Sequence, residues 1–291
     1  FTFEQLYTTE KAFGYMWECP DIFALDGHRI LAVCPQGVPS EAEQYQNIYQ
    51  SGYFIETEET RTVDASFKGT EETRTVDASF KGIKENRNVN PSFIEWDMGF
   101  DFYAPQTLEA PDGRRILFGW AGVSDSPYDN EPSIREGWQH SMTVPRELSW
   151  KGGILCQKPV RELEALRKDE IVFEQGEAEI HGGAFDLVAE RDIAGDIPVR
   201  ICFNQELQIT YGHGVVSMEF LNNTGSGRTI RKAKLDGLQN VRILMDVSLM
   251  EVYFNDGELV MTTRYYPEDP MTTKVSISGM EQVKGWTMAG Q

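Results

Sequence analysis

The chain has 291 residues and a formal charge of −19, from 27 Lys and Arg against 46 Asp and Glu. This balance argues against nucleic acid and anionic membrane as partners, because phosphate groups repel an acidic surface. Hydrophobic residues make up 40% of the chain, enough for a substantial core in one large or two ordinary domains. No run approaches the roughly 18 apolar residues that a membrane span needs, and no signal peptide is visible at the N-terminus.

The cysteines are few and widely spaced, at Cys19, Cys34, Cys156 and Cys202. The absence of a CxxC pair leaves no zinc template, and a disulfide scaffold would need far denser cysteine. We therefore expect four free thiols in a reducing, cytoplasmic compartment, with neither a metal nor a cofactor.

Strand–turn–strand patterns dominate the chain. Apolar runs flank an Asx-Gly turn in residues 23–33, 108–120 and 251–261. This arrangement is the strongest short-range signal for a β-hairpin. The sequence therefore predicts three hairpins and an all-β class.

Only residues 159–167 favour a helix, because Val160, Leu163 and Leu166 recur at a three-residue spacing after a proline. Long irregular loops join the hairpins before this segment. Short strands with polar alternation follow it and are typical of a β-sandwich. We predict an N-terminal domain, a linker helix and a C-terminal β-sandwich over residues 1–155, 156–168 and 169–291.

One segment is repeated without change: residues 57–69 recur as residues 70–82. The repeat units of solenoids and propellers are longer and diverged, so a recent tandem duplication or a sequence error explains the identity better. Each copy favours one strand. Because the copy has an odd number of residues, a continuous strand would turn the second copy to the opposite face. We expect only one copy to occupy a strand.

The first candidate for chemistry lies in residues 16–23, where Glu18 and Asp21 flank a Cys-Pro pair. A glutamate beside Trp17 at the mouth of a strand can be partly desolvated, which makes its carboxyl group a usable general acid near neutral pH. Taken alone, a solvated surface carboxylate is the commoner interpretation.

The second candidate lies in residues 97–107, where Asp101 and Tyr103 alternate with aromatic residues. Both could face one pocket, although a buried strand with two polar groups bonded to backbone fits equally well. Trp120 could stack on a sugar face or fill the core. Composition does not separate these alternatives.

Several linked motifs resemble the fructan- and sucrose-cleaving enzymes of glycoside hydrolase family 32, most of all its sucrose-6-phosphate hydrolase and invertase members. They occur in the order of that family, at residues 16–23, 101–106, 113–120, 137–140, 145–148 and 245–258. The resemblance covers nearly the whole chain except residues 56–90.

The resemblance implies a five-bladed β-propeller followed by a β-sandwich, and retaining hydrolysis by two carboxylates roughly 5–5.5 Å apart. An aspartate attacks the anomeric carbon of the fructosyl unit, and a glutamate protonates the leaving oxygen and then activates water. By motif match, Glu18 is this acid/base. In the same motif, Asp21 would be a hydrogen-bond partner of the substrate or of the acid/base. The resemblance further implies that Asp101, Tyr103 and Trp120, with Asp21, line the substrate-binding site.

The sequence departs from the family at the nucleophile. That aspartate lies in an Asn-Asp-Pro-Asn-Gly-type motif, which these residues lack. A second family motif, Arg-Asp-Pro, has its nearest counterpart in Glu268-Asp269-Pro270, without the Arg and inside the sandwich region. At roughly 40–50 residues per blade, residues 1–150 hold about three of five blades.

We therefore expect the C-terminal portion of such an enzyme, inactive by itself. In one form of this interpretation a further polypeptide carries the missing blades, and in the other they are encoded upstream. The alternative is a non-catalytic carbohydrate-binding or structural remnant. The substrate would be a small sugar such as sucrose, sucrose-6-phosphate or a short fructan. Arg135 and His140 could bind a phosphate or be ordinary loop residues. An open arc of blades exposes sheet edges, so we expect dimerisation or aggregation.

Overall fold

The computed structural model of the chain describes residues 5–9, 12–56, 85–88 and 93–289. These residues form two four-stranded sheets, two six-stranded sheets and one two-stranded parallel pair, which confirms the all-β class. No helix in this part of the chain is long and apolar enough to cross a membrane. The repeat at residues 57–82 lies outside the described residues, so its predicted strand stays a prediction.

The N-terminal part of the described chain is built from short, mostly antiparallel strands. They are β1 (Gln5–Thr8), β2 (Met16–Leu25), β3 (His28–Gln36), β4 (Gly52–Glu56), β5 (Glu85–Asn88), β6 (Ile94–Glu95), β7 (Tyr103–Glu109), β8 (Arg115–Trp120), β9 (Arg146–Lys151) and β10 (Ile154–Pro159). The sheet orders are β2-β3-β4-β6, β10-β9-β8-β7 and β1-β5. A four-stranded sheet is the unit of a propeller blade. The count of about three blades stays a prediction, because residues 57–84 and 89–92 are not described.

Both hairpins predicted in this part are confirmed. Residues Asp26 and Gly27 join β2 to β3, with φ angles of 48° and 81°. Two successive positive φ values are the mark of a type I′ turn, whose twist matches that of the flanking strands. Residues 110–114 join β7 to β8 in the same antiparallel manner.

The two four-stranded sheets pack face to face around one apolar cluster. Alternate residues of β3 point to opposite faces, as the two-residue period of a strand requires. Ile30 and Ala32 face the second sheet, while Leu31 and Val33 lie in a separate cluster on the other face. Aromatic side chains cover that second cluster, among them Phe13, Trp17 and Tyr45.

The predicted linker helix differs from the one observed. Strand β10 continues to Pro159, and only Arg161–Leu166 is helical, as a 3₁₀ helix. The physical reason is the three-residue apolar spacing, which matches the 3.0 residues per turn of a 3₁₀ helix rather than the 3.6 of an α-helix. A short helix that was not predicted, α1 (Glu131–Arg135), lies in a loop expected to be irregular.

The C-terminal part is a sandwich of two six-stranded sheets, as predicted. Its strands are β11 (Arg167–Glu170), β12 (Glu177–His181), β13 (Ala184–Gly195), β14 (Val199–Phe203), β15 (Leu207–Gly212), β16 (Val215–Phe220), β17 (Ile230–Lys234), β18 (Leu238–Asp246), β19 (Leu249–Phe254), β20 (Leu259–Arg264), β21 (Thr272–Ser278) and β22 (Gln282–Met288). The orders are β11-β22-β13-β18-β19-β20 and β12-β21-β14-β15-β16-β17. The third predicted hairpin, β19–β20, is confirmed.

Residues 98–101 cover the edge of the sandwich at β20. The amides of Met98 and Phe100 donate to the carbonyls of Val260 and Thr262, both at 2.8 Å. The side chain of Phe100 is buried within the sandwich core. An open sheet edge invites association with other chains, and this segment closes it while joining the two parts of the protein.

Candidate functional site

The edge strands of the two four-stranded sheets carry matching irregularities. Cys19 in β2 and Ala104 in β7 have φ angles of 49° and 48°, and each precedes a proline. The strand register shifts at both places. Side-chain-bearing residues rarely adopt this backbone, and such strain gathers at functional sites. The bulges follow directly on Glu18 and Tyr103, two residues predicted from sequence.

The structure brings Glu18 and Tyr103 together. The Tyr103 hydroxyl donates to Oε2 of Glu18 at 2.8 Å, and Nε2 of Gln36 donates to the same oxygen at 2.8 Å. Tyr15 in turn donates to Oε1 of Gln36 at 3.0 Å, which orients the amide. Oε1 of Glu18 has no hydrogen-bond partner within the described residues. Two donors therefore hold Oε2 in place, and Oε1 can form a hydrogen bond with another molecule.

Burial, with the nearby Glu18 carboxylate as a further cause, raises the pKa of Tyr103. The phenol is therefore a neutral donor across the physiological range. Burial also raises the pKa of the Cys19 thiol, and it raises that of Cys34 to about 12. All four cysteines are free, as predicted.

A cleft of about 340 Å³ opens beside Trp120. Trp120 pairs with Tyr103 across β7 and β8, and its ring meets that of His140 edge-on at 5.3 Å. Tyr49 lies between the cleft and Tyr103: its hydroxyl donates to Oδ2 of Asp125 at 2.8 Å, and its ring centroid lies 6.1 Å from that of Tyr103. Among the residues that the structure covers, no group of three or more His, Cys, Asp or Glu could hold a metal ion.

Asp21 lies on the same strand as Glu18 but bonds elsewhere. The amide and the hydroxyl of Thr107 both donate to its Oδ2, at 2.8 and 2.6 Å. These bonds fasten β2 to β7 below the bulges. The carboxylate of Asp21 thus braces the two strands that present Glu18 and Tyr103, and its substrate contact stays a prediction.

The carboxylate of Asp101 bonds residues of the sandwich. Its two oxygens form a bidentate pair with Nε and Nη2 of Arg228, both at 2.7 Å, and the amide of Arg264 donates to Oδ2 at 2.8 Å. The residue is 1% exposed. It lies at the floor of the cleft, but its carboxylate already has protein partners on both oxygens.

Sequence reasoning missed a second buried ion-pair network at the same interface. Arg146 donates to Asp97 at 3.1 Å and to Glu251 at 2.7 Å, and all three side chains are at most 2% exposed. Arg146 and Glu251 lie within motifs that carried the family resemblance, but those motifs did not indicate what the two side chains bind. Gln36, the second donor to Glu18, lies outside every motif.

Comparison with known proteins matches both parts of the chain. Residues 1–159 match the N-terminal domain of glycosyl hydrolases family 32, and residues 163–286 match the C-terminal domain. The sucrose-6-phosphate hydrolase of Bacillus subtilis strain 168 is 35% identical over 266 residues, 88% of this chain and 50% of that protein. The Staphylococcus xylosus enzyme of the same name is 34% identical over 287 residues, with coverages of 92% and 53%. The chain thus spans about half the length of the relatives it matches.

Solved structures of this family have the same fold as this chain. The Bombyx mori GH32 β-fructofuranosidase BmSUC1 superposes with a TM-score of 0.73 at 26% identity, over 96% of this chain and 55% of that one. The sucrose-6-phosphate hydrolase from Lactobacillus gasseri has the same fold, with a TM-score of 0.70 at 23% identity and coverages of 96% and 56%. Since the two domain matches together take in nearly all of its residues, this chain belongs to glycosyl hydrolase family 32.

Proposed function

We propose that this chain supplies the acid/base carboxylate, Glu18, of a retaining hydrolase that cleaves the fructosyl bond of sucrose or sucrose-6-phosphate. The observation that carries the proposal is the Glu18 carboxylate: Tyr103 and Gln36 fix it through Oε2, and Oε1 has no partner among the residues that the structure describes. A group that gives and takes a proton in one place needs such positioning. The names of the relatives support the reaction class.

In the first step, Glu18 protonated on Oε1 gives its proton to the leaving glycosidic oxygen while an aspartate attacks the anomeric carbon. The hydrogen bonds from Tyr103 and Gln36 stabilise the carboxylate that results. In the second step, the Glu18 carboxylate takes a proton from the water that hydrolyses the fructosyl-enzyme. Tyr103 can serve in both steps because its raised pKa keeps it a donor.

The nucleophile comes from outside these 291 residues in this proposal, from a polypeptide segment with the blades that carry the Asn-Asp-Pro-Asn-Gly-type motif. Two carboxylates near Glu18 in sequence or space are poor substitutes. Asp101 is paired on both oxygens with Arg228, and Asp21 accepts two bonds from Thr107. In this proposal the segment completes a five-bladed propeller, of which this chain holds about three blades.

The first test uses the chain alone. Reducing-sugar release from sucrose and from sucrose-6-phosphate is measured for the purified chain and for its Glu18→Gln variant. We expect both to be near background, because loss of a catalytic nucleophile removes about 10⁴–10⁶ in rate in triad enzymes. Robust turnover that vanishes in the variant would place the nucleophile within these residues.

The second test restores the missing part. The chain is co-expressed with the part of the Bacillus subtilis relative that it does not match, and turnover is compared for sucrose and for a fructoside with a good leaving group. Glu18→Gln should lower sucrose hydrolysis by about 10²–10⁴, with a much smaller loss in the first step on the activated substrate. Glu109→Gln is the matched control, because that side chain is 70% exposed. Equal losses on both substrates would remove Glu18 from the acid role.

A further inference from the structure

Three arginines are buried where the sandwich meets the N-terminal sheets: Arg146, Arg228 and Arg264, at 0%, 3% and 0% exposure. Arg146 pairs with two carboxylates, and Arg228 pairs with one in bidentate fashion. Arg264 differs, because no carboxylate of the described chain forms an ion pair with it.

The three guanidinium nitrogens of Arg264 differ in their hydrogen bonds. Nη2 donates to the hydroxyl of Ser248 at 2.9 Å. Nε and Nη1 are buried without any acceptor in the part of the chain that the structure covers. The rings of Trp138 and Tyr266 lie 4.6 and 5.6 Å from the guanidinium carbon. A buried cation without an anion is strongly unfavourable, and the ring contacts offset only part of that cost.

We propose that Arg264 is the centre of an anion site that takes a small tetrahedral oxyanion of the phosphate type, free or as the phosphoryl group of a sugar phosphate. The planar guanidinium has the geometry to bind such an oxyanion through more than one N–H. Ser248 supplies a hydroxyl beside it. Trp138 is 39% exposed and lies over the guanidinium, so binding of the proposed ion requires this ring to move aside. Because the chain carries a charge of −19, binding of an anion reports a built site rather than a general attraction.

The site adjoins the cleft but does not depend on the role of Glu18. Trp138 lies two residues before His140, which lines the cleft. Tyr266, the other ring beside Arg264, donates to Asn130 at 3.0 Å on the same loop. An ion bound to Arg264 would thus stabilise the conformation of the loop at residues 129–140. If the catalytic proposal fails, the anion site remains testable by binding alone.

The experiment is a series of thermal melts at constant ionic strength, with inorganic phosphate replacing chloride from zero to about 20 mM. We compare the wild type, Arg264→Met and the control Arg161→Met, whose arginine is 67% exposed. The wild type and the control should show a saturable rise in Tm of several degrees, and Arg264→Met should not. Phosphate also stabilises proteins by exclusion from their surface, and the Arg264→Met curve measures that contribution.

A parallel series with glucose 6-phosphate separates the two sources of the ion. A rise with phosphate alone identifies a free ion, and a rise with both shows that a sugar phosphate is accepted; either supports the site. Broadening of the ³¹P line of phosphate by the wild type, relieved by sulfate and weakened in Ser248→Ala, tests it even if Arg264→Met does not fold. An equal rise in Arg264→Met, or no broadening by the folded wild type, would overturn the proposal.

Discussion

Glu95 is expected to make the stability of the protein depend on pH. It ends strand β6, is partly buried, and accepts a hydrogen bond from the amide of Tyr45 at 2.9 Å. Burial raises its pKa to about 7, with Asp97 and Glu41 adding to the rise; the bond from Tyr45 and the charge of Arg231 act in the opposite direction.

The sign follows from proton binding in the two states. Unfolded, Glu95 titrates with the ordinary glutamate pKa of 4.5, and folded it titrates at about 7. Between these values the folded state binds more protons, so stability falls as the pH rises through the window. The difference between these two pKa values corresponds to about 3 kcal/mol at most. Partial exposure lowers the expected value to about 1–3 kcal/mol.

The perturbation is Glu95→Gln, which mimics the protonated form and can still accept the bond from Tyr45. Urea unfolding followed by tryptophan fluorescence gives the free energy of unfolding at pH 5 and pH 8. The variant should gain less than about 1 kcal/mol over the wild type at pH 5 and about 1–3 kcal/mol at pH 8. Glu109→Gln, at an exposed site, controls for the lost charge. Equal gains at both pH values, or equal gains in the two variants, would refute the reasoning.

Three further outcomes follow from the contacts and the repeat. In the complemented enzyme, Tyr103→Phe should lower kcat/KM about 10–100-fold, because one hydrogen bond to a charged group is lost. Steady-state kinetics on sucrose at several pH values would show this loss, and an unchanged rate would mean that Tyr103 does not act through Glu18. Arg146→Met leaves two carboxylates buried without their cation and should cost about 3–5 kcal/mol in urea unfolding; a cost below 1 kcal/mol would contradict the buried network. Deletion of residues 70–82 should change Tm by no more than a few degrees, because one copy suffices for a strand; a larger drop in a thermal melt would show that both copies are structural.

The hairpins could be predicted because their causes are local. The residues between β2 and β3, and between β19 and β20, have positive φ angles that only a few residue types adopt readily, and the sequence places those types there. The linker helix was predicted as the wrong helix type, and the reason is equally local. A three-residue apolar spacing fits both helix types over two turns, and only its strict repetition favours the 3₁₀ form.

The site could be predicted only in part. The motif around Glu18 and the alternation around Tyr103 identified two residues that the structure joins by a hydrogen bond. Asp101 was predicted by the same alternation, yet its partner Arg228 lies 127 residues further along the chain. Alternation tells which face of a strand a side chain occupies, but it does not tell which distant segment covers that face. Arg264, which has no carboxylate partner within the described part of the chain, had no signal in the sequence for the same reason.

The short segment from Asp97 to Tyr103 explains why the sandwich matters to the site. Asp97 and Asp101 are held by arginines at the sandwich interface, Phe102 lies in the core between the two four-stranded sheets, and Tyr103 bonds Glu18. Seven consecutive residues thus join the sandwich, the sheet core and the proposed acid/base. Tyr103 lies two residues from Asp101, and Arg228 of the sandwich donates to both carboxylate oxygens of Asp101. The contact with the sandwich therefore fixes the backbone next to the donor that bonds Glu18. Under the proposed function, the sandwich is therefore a positioning element for Glu18, even though Glu18 lies on β2, in the other four-stranded sheet.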